Sequence, residues 1–502
     1  MKLADLLRGL PIEAGGASPA LEVTGVQHDS RRVVPGDLYV AIIGARFDGR
    51  DFVPEAAARG AVAVLGAVAA LGTGPAPRAA TAGCPLPWLS TADPRAVLAP
   101  LAARVHGHPE RSLTLVGVTG TNGKSTVATL AASLLDHAGR PAGFLGTLGY
   151  RFGGRDFPGD RTTPEASDFY ALLAAMRDAG AQAVAMEVSS HALSVGRVDG
   201  ALFAVAAFTN LSRDHFDFHP DFESYYRAKR RLFDRIAPGG AAVVGTDDPY
   251  GRRLLTELAG KVRTLSYGAD GEVRWESTSL SAKGSRGVAA TPRGPLEIAT
   301  PLLGSYNLTN VLAAIAIGEA LGLPHEATAR ALAEARPLTG RLEPVDLGQD
   351  FPVLVDYAHT PAALDAAARS VRELSGRKLI LVFGCGGDRD PGKRPLMGEL
   401  AGNLAELPIA TTDNPRSEDP LAILAAVEEG LKASRSGSYR IVPDRREAIG
   451  LAVELAGPEW AVLVAGKGHE QRQIFHDRVI AFSDRDELTN ALEARLGHAA
   501  HR

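Results

Sequence analysis

A chain of 502 residues exceeds what one hydrophobic core usually serves, and at about 150 residues per domain three domains are expected. Its 54 Lys and Arg against 58 Asp and Glu leave a formal charge of −4 with no basic block or arginine-rich tail, which speaks against nucleic acid as a partner. Cys84 and Cys385 stand far apart in no C-x-x-C pattern, so they suit a reducing compartment, supply no zinc site and read as ordinary thiols.

The N-terminus, MKLADLLRGL, carries Asp5 and Arg8 where a signal peptide needs an apolar core, and the longest apolar run, 61–71, is too short to span a bilayer. A cytoplasmic protein with no membrane insertion is expected. Short strand-like runs at 37–43 and 61–65 are followed by a loop at 73–88, TGPAPRAATAGCPLPW. Residues 28–52 gather polar and glycine residues around a strand and could hold a polar ligand. A helix over 94–105 ends at His106-Gly107-His108-Pro109, two histidines read as linker residues, and a boundary is placed near 109.

The next stretch, LTLVGVTGTNGKST at 113–126, organises the chain. Leu113, Leu115, Val116 and Val118 are strand-like, helical spacing runs from Ser125 to His137, and the turn Gly120-Thr121-Asn122-Gly123 opens the helix. Unpaired N–H groups there attract phosphate oxygens; Lys124 can neutralise phosphate charge, and the hydroxyl of Ser125 or Thr126 can ligate a magnesium ion. The strict pattern G-x-x-x-x-G-K-[ST] wants glycine where Val118 stands, so the loop reads as a shorter relative. The plain alternative is a glycine turn with a solvated lysine.

From 110 to about 336 strands at 113–118, 142–145, 181–188 and 204–209 alternate with helices, which implies a parallel sheet. Ligands gather beyond the carboxyl ends of such strands. Glu187 stands amid apolar residues there, either a magnesium ligand or a carboxylate satisfied by an arginine. Asn210 to His219 crowds acids and histidines into one loop, where an oxygen-rich magnesium site with one imidazole fits better than zinc. A helix is expected over 222–236, with Phe222, Tyr225, Leu232, Phe233 and Ile236 on one face and Lys229 in its middle. Lys229 either snorkels to the surface or is buried beside a triphosphate, where its pKa falls and it becomes modifiable. After Glu272 β-like alternation precedes a helix over 306–321.

Past a boundary at Arg336-Pro337 the strand and helix rhythm resumes, with strands at 353–356, 379–383, 409–411 and 461–464. Three polar loops at strand ends make a site: residues 384–390, with Arg389; Asp413, Asn414, Pro415 and Arg416; and 466–470, with Gly466 and Glu470. Arg389 and Arg416 suggest carboxylate recognition by planar forks, although either alone is commonly a solvated surface residue. The glycine loop lacks G-x-G-x-x-G and is not read as a dinucleotide site.

Together VTGTNGKST, MEVSSHAL, DHFDFH, YYRAKRRLF, GSYNLTN, GRLEPV, VDYAHTP, GCGGDRDPGKRP, DNPR and GKGHE resemble the Mur ligases of peptidoglycan synthesis, in the family's order and over essentially the whole chain. The resemblance implies an α/β protein of three domains: a UDP-sugar domain (1–109), a central P-loop-type ATPase with a mostly parallel sheet (110–336) and a Rossmann-like amino-acid domain (337–502). It implies ATP as substrate and Mg²⁺ as cofactor, with Gly120 to Thr126, Asn307, Arg341 and Asp356 on ATP. Lys124, His215 and Lys229 are then catalytic, and Ser125, Glu187, His215 and a carbamate on Lys229 metal ligands. Ser30, Thr162, Thr163, Ser189 and Arg197 match positions that bind a UDP-N-acetylmuramoyl dipeptide. Arg161 and Val195 depart from relatives that carry asparagine and glutamine. DNPR resembles the members that add meso-diaminopimelate, implying Arg389, Asp413, Asn414, Pro415, Arg416, Gly466 and Glu470 around that amino acid. A monomer is expected. Rival readings are a ligase of the same superfamily with lysine or another substrate, a P-loop kinase or switch ATPase, and a non-enzymatic scaffold.

Overall fold

The computed structural model describes residues 1–44, 47–67, 86–159, 161–281, 283–435 and 437–500. Most of the expected loop at 73–88, the end of the apolar run at 61–71 and Cys84 lie outside the described residues. The chain divides into two compact units, Met1–Thr119 with Gly139–Ala206 and Ala228–Ala242, and Gly120–Ala138 with Ala207–Arg227 and Val243–Arg502.

The N-terminal sheet is parallel, in the order β1 (Gly25–Gln27), β2 (Asp37–Val40), β3 (Ala63–Ala67) and β4 (Trp88–Thr91). Tyr39, Ala41 and Val64 pack with Val53 and Ala56 on one face of it. The helix Pro94–Val105 starts as its sequence dictates: the Asp93 carboxylate accepts the N–H groups of Arg95 and Ala96, and Pro94 needs no partner at the first turn.

Eight strands follow: β5 (Thr114–Thr119), β6 (Ala142–Gly146), β7 (Gly149–Phe152), β8 (Arg155–Phe157), β9 (Ala183–Glu187), β10 (Phe203–Phe208), β11 (Ile236–Gly245) and β12 (Arg263–Tyr267). Their order is β12-β11-β10-β5-β9-β6-β7-β8, and β10 and β11 carry the chain from one unit into the other. The parallel pairs β5·β9 and β6·β9 bear out the expected parallel sheet, whereas β7 and β8 add an antiparallel edge that the sequence reading missed. The helix expected over 222–236 is shorter. It runs Phe222–Arg230, tightens into a 3₁₀ turn at Phe233–Arg235, and gives way to β11, because Pro238 and Gly239-Gly240 cannot continue a helix. The alternating stretch after Glu272 is the antiparallel sheet β13 (Arg274–Ser281), β14 (Gly284–Ala290) and β15 (Leu296–Thr300).

The last sheet comprises β16 (Glu343–Pro344), β17 (Val353–Asp356), β18 (Lys378–Phe383), β19 (Leu407–Ala410), β20 (Arg440–Ile441) and β21 (Trp460–Ala465), in the order β16-β17-β21-β18-β19-β20. It is doubly wound, and the two-residue period of β18 shows how: Leu379, Leu381 and Phe383 enter one apolar layer, Ile380 and Val382 the other. A hairpin, β22 (Arg472–Ile474) and β23 (Val479–Ala481), follows. Cys385 is buried, with Sγ 3.6 Å from the Met397 sulfur and its thiol pushed up to about 11 by burial, an ordinary core thiol as expected. Among the described residues no helix is long and apolar enough to cross a membrane.

Candidate active site

The glycine turn lies between β5 and the helix Lys124–His137, and its glycines have a steric reason. Gly120 has φ +146° and Gly123 φ +86°; a Cβ would stand 1.8 Å from Thr209 Oγ1 at the first and 2.4 Å from Asn310 Oδ1 at the second. The loop is braced by the chain after β10: Thr121 N–H donates to the Asn210 carbonyl at 2.8 Å, Asn122 N–H to Asn210 Oδ1 at 3.0 Å, and Thr209 Oγ1 to the Asn122 carbonyl at 2.6 Å. Lys124 folds back, its Nζ 3.1 Å from the Gly120 carbonyl and 2.8 Å from that of Thr121. Val118 is a fully buried residue of β5, and the strand continues to Thr119, so the turn opens only at Gly120 and no glycine is needed at 118.

A cavity of about 390 Å³ opens over the first turn of the helix Lys124–His137, walled by Asn122, Gly123, Ser125, Thr126, Asn310, Arg341 and Asp356 among others. That volume suits a nucleotide-sized ligand. Arg341 donates to Ser125 Oγ at 3.2 Å and lies over the Tyr357 ring at 4.7 Å, while its buried Nε has no protein partner. Asp356 accepts from Tyr306 Oη at 2.9 Å and from the backbone of Leu342 and Ala358. Burial raises its pKa against the pull of Arg341 and these bonds. Asn307 stands behind the wall, its amide held by the Leu303 carbonyl at 2.8 Å and its oxygen by Asn310 at 2.9 Å. Asn310, three residues on along the same helix, is the one that reaches the cavity, and the second asparagine of SYNLTN was the signal that the sequence reading passed over.

The loop after β10 gathers Arg213, Asp214 and His215. His215, with φ +58°, is half exposed and its Nε2 is 3.3 Å from Asp214 Oδ2, which is also 3.8 Å from His359 Nε2. Burial would raise the Asp214 carboxyl, but the neighbouring imidazoles of His359 and His215 and the charge of Lys393 hold it far below the usual range. Lys229 is 1 % exposed, which removes the snorkelling alternative. Glu187, equally buried, takes the Thr147 N–H at 2.8 Å and the Thr147 hydroxyl at 3.3 Å, so its partner is a threonine rather than an arginine. Among the described residues no group of three or more His, Cys, Asp or Glu forms a metal cage. Ser125 and His215 offer a hydroxyl and an imidazole in one unit and Glu187 a carboxylate in the other, donors of the kind magnesium takes.

In the N-terminal unit the residues expected around the sugar peptide fall into two places. Ser30 Oγ donates to Glu55 at 2.7 Å. Thr162 pairs with Thr147 at 3.0 Å, Thr163 Oγ1 donates to the Glu187 carbonyl at 2.9 Å and accepts from Ser189 N–H at 3.0 Å, and Arg197 donates to the Thr163 carbonyl at 3.0 Å. The hub was missed: Glu165 takes Arg197 at 2.9 Å, Arg161 at 2.8 Å and Arg95 at 3.5 Å. Burial would raise its pKa; Arg197, His28 and the other two arginines lower it.

The three loops of the last sheet do meet. Asn414 donates to Glu470 at 2.8 Å and accepts from Lys467 at 3.1 Å; Lys467, wholly buried and unassigned by sequence, also reaches Glu470 at 3.0 Å and lies 3.5 Å from Asp413. Gly466 N–H donates to the Asp356 carbonyl at 3.0 Å. Arg416, at φ +52° beside the buried Pro415, donates to the Gly387 carbonyl at 2.7 Å, and Arg389, exposed, to that of Asp388 at 2.9 Å. Burial and the neighbouring Arg389 lower the Arg416 pKa, so the pair favours an arriving anion.

Residues 22–106 match the Mur ligase family, catalytic domain, residues 118–318 the Mur ligase middle domain, and residues 340–468 the Mur ligase, glutamate ligase domain. UDP-N-acetylmuramoyl-L-alanyl-D-glutamate–2,6-diaminopimelate ligases from Streptomyces avermitilis and Geobacter metallireducens are 45 % and 42 % identical; the matches cover 98 % of this chain and 97 % and 98 % of theirs. A solved structure of a ligase of that name aligns over 99 % of both chains with a TM-score of 0.66 at 30 % identity. With cradle, cavity and strand-end loops in one α/β chain that these relatives match from end to end, the chain belongs to the Mur ligase family.

Proposed function

We propose that this chain is an ATP-dependent, ADP-forming ligase that joins meso-diaminopimelate to the D-glutamyl carboxylate of UDP-N-acetylmuramoyl-L-alanyl-D-glutamate, a cytoplasmic step in making peptidoglycan precursor, and acts as a monomer. The observation that carries the reading is the cavity over the cradle, walled by Ser125, Arg341 and Asp356, in a chain matched end to end by relatives of that name. Boundaries near 109 and 336 give the three domains, in keeping with the breaks between the matched segments.

A carboxylate is a poor acyl donor. The γ-phosphoryl group of ATP passes to a glutamyl oxygen, releasing ADP and leaving an acyl phosphate; the amine then attacks the carbonyl, phosphate departs, and the amine gives up a proton. The backbone N–H groups of 120–126 and Lys124 hold the phosphates, Arg341 and Asp356 the nucleoside, with Asn307 fixing Asn310 at the wall. Ser125, His215, Glu187 and a carbamate on Lys229 would hold magnesium, which when bound would offset phosphoryl charge. The burial of Lys229 supports the carbamate, since a desolvated amine is more often neutral and able to add CO₂. Ser30, Thr162, Thr163, Ser189 and Arg197 are assigned to the sugar peptide, and Arg389, Arg416, Asp413, Asn414, Pro415, Gly466 and Glu470 to the diamino acid.

Lysine lacks the distal carboxylate that Arg389 and Arg416 would pair, and a site built for a polar group rejects an analogue lacking it by about 10⁴-fold. The test is amide product by mass with ATP, the UDP-dipeptide and either amino acid. Comparable kcat/KM for lysine would overturn the assignment, and ATP turnover indifferent to both acceptor substrates would make the chain a switch ATPase.

A further inference from the structure

The loop that carries Arg389 is pinned at several points. Gly387 N–H donates to the Asn414 carbonyl at 2.9 Å, Asp388 N–H to Glu418 at 2.6 Å, and Arg416 to the Gly387 carbonyl at 2.7 Å, all from the segment after β19. One further pin comes from the loop after β10: Arg213 Nε and Nη2 donate to the two oxygens of Asp390 at 2.6 and 3.0 Å. The fork is prepared on both sides. Arg213 lies over the Phe216 ring at 4.9 Å, and Gly392 leaves room for the guanidinium, since a Cβ there would be 2.5 Å from Nη2. Gly392 N–H also donates to Asp390 at 2.9 Å, fixing the acceptor. Asp390 is buried and its neighbour Arg389 is exposed, so holding the one fixes the direction of the other. Arg213 in turn stands two residues before His215 and directly after Ser212, at the edge of the nucleotide cavity.

We propose that Arg213 and Asp390 are a positioning pair that registers the amino-acid loop on the nucleotide loop, so that the incoming amine meets the activated carboxylate. A pair with one partner a third exposed adds little to global stability, and its bidentate geometry supplies direction instead. This rests on the ligase reading above.

The test uses the full chain with Arg213→Ala, Asp390→Asn, the double variant and Arg213→Lys. Both single variants are expected to raise KM for meso-diaminopimelate five- to tenfold with KM for ATP within twofold, the double variant to be no worse than the poorer single, and Arg213→Lys to recover part of the loss. Backbone amide exchange over 386–392 should quicken at least tenfold in Arg213→Ala. Unchanged amino-acid KM in both singles, or losses that multiply in the double, would overturn the pair. If the wild type makes no amide at all, the ligase reading fails, and the exchange measurement alone then decides whether Arg213 holds the loop.

Discussion

Arg341 donates to the hydroxyl of Ser125 across 216 residues of sequence, at 3.2 Å. The first turn of the helix Lys124–His137 and the segment just before β16 therefore wall the same cavity. Arg341→Ala removes that bond and the stacking on Tyr357, and KM for ATP should rise about tenfold, equivalent to about 1.4 kcal/mol. Arg341→Lys should recover less than half of this in free energy, since an ammonium cannot both stack and fork; nucleotide titration of the three proteins checks it.

Gly120→Ala meets Thr209 Oγ1 at 1.8 Å and the Asn210 backbone nitrogen at 3.1 Å, at a φ of +146°. Backbone cannot yield as a side chain can. A loss of about 2–4 kcal/mol in urea unfolding is expected, with nucleotide binding lost as well. Gly139→Ala, at φ +74° with open space around its Cβ, should cost only about 1 kcal/mol.

Lys467 is wholly buried between Asn414, Glu470 and Asp413. Lys467→Met leaves Asp413 buried without its nearest cation, and removing one partner of such a set costs about 3–5 kcal/mol. The wild-type Asp413 pKa is lowered: burial opposes ionisation, but Lys467, Arg445, His359 and Arg416 outweigh it. Its contribution is thus present above the unfolded carboxyl pKa and fades as pH falls below it, and Lys467→Met should shrink that acid limb, with Arg445, His359 and Arg416 holding what remains.

His469 packs against Tyr357 at 4.9 Å with no protein partner for its buried Nδ1, and burial, Arg341 and His359 push its pKa down to about 4. The unfolded imidazole takes up its proton near 6.5. Stability is therefore whole above that pH and falls as pH drops toward 4, by up to about 2–3 kcal/mol. His469→Gln should flatten this limb relative to wild type, measured by urea titration at pH 7, 5.5 and 4.5.

What could be read from the sequence depended on how local the physics was. The cradle was legible because an apolar run, two glycines and a helical period lie within 25 residues. The burial of Lys229 was legible from the aromatic face around it, although the end of that helix was not, because β11 competes for the residues after Arg235. The choice between Asn307 and Asn310 was not, because the helix Ser305–Leu321 is buried on nearly every side and no polar face orients it. The Glu165 hub was invisible for a different reason: its cations, Arg95, Arg161, Arg197 and His28, are scattered along the chain and only folding assembles them.

The walls of the nucleotide cavity run from Asn122 to Ala366. During synthesis, roughly 240 residues must emerge after the cradle before its pocket can close, which at about 5–20 residues per second is roughly 10–50 s. A ligand that touches all of these walls therefore meets its complete pocket only after residue 366 has been made.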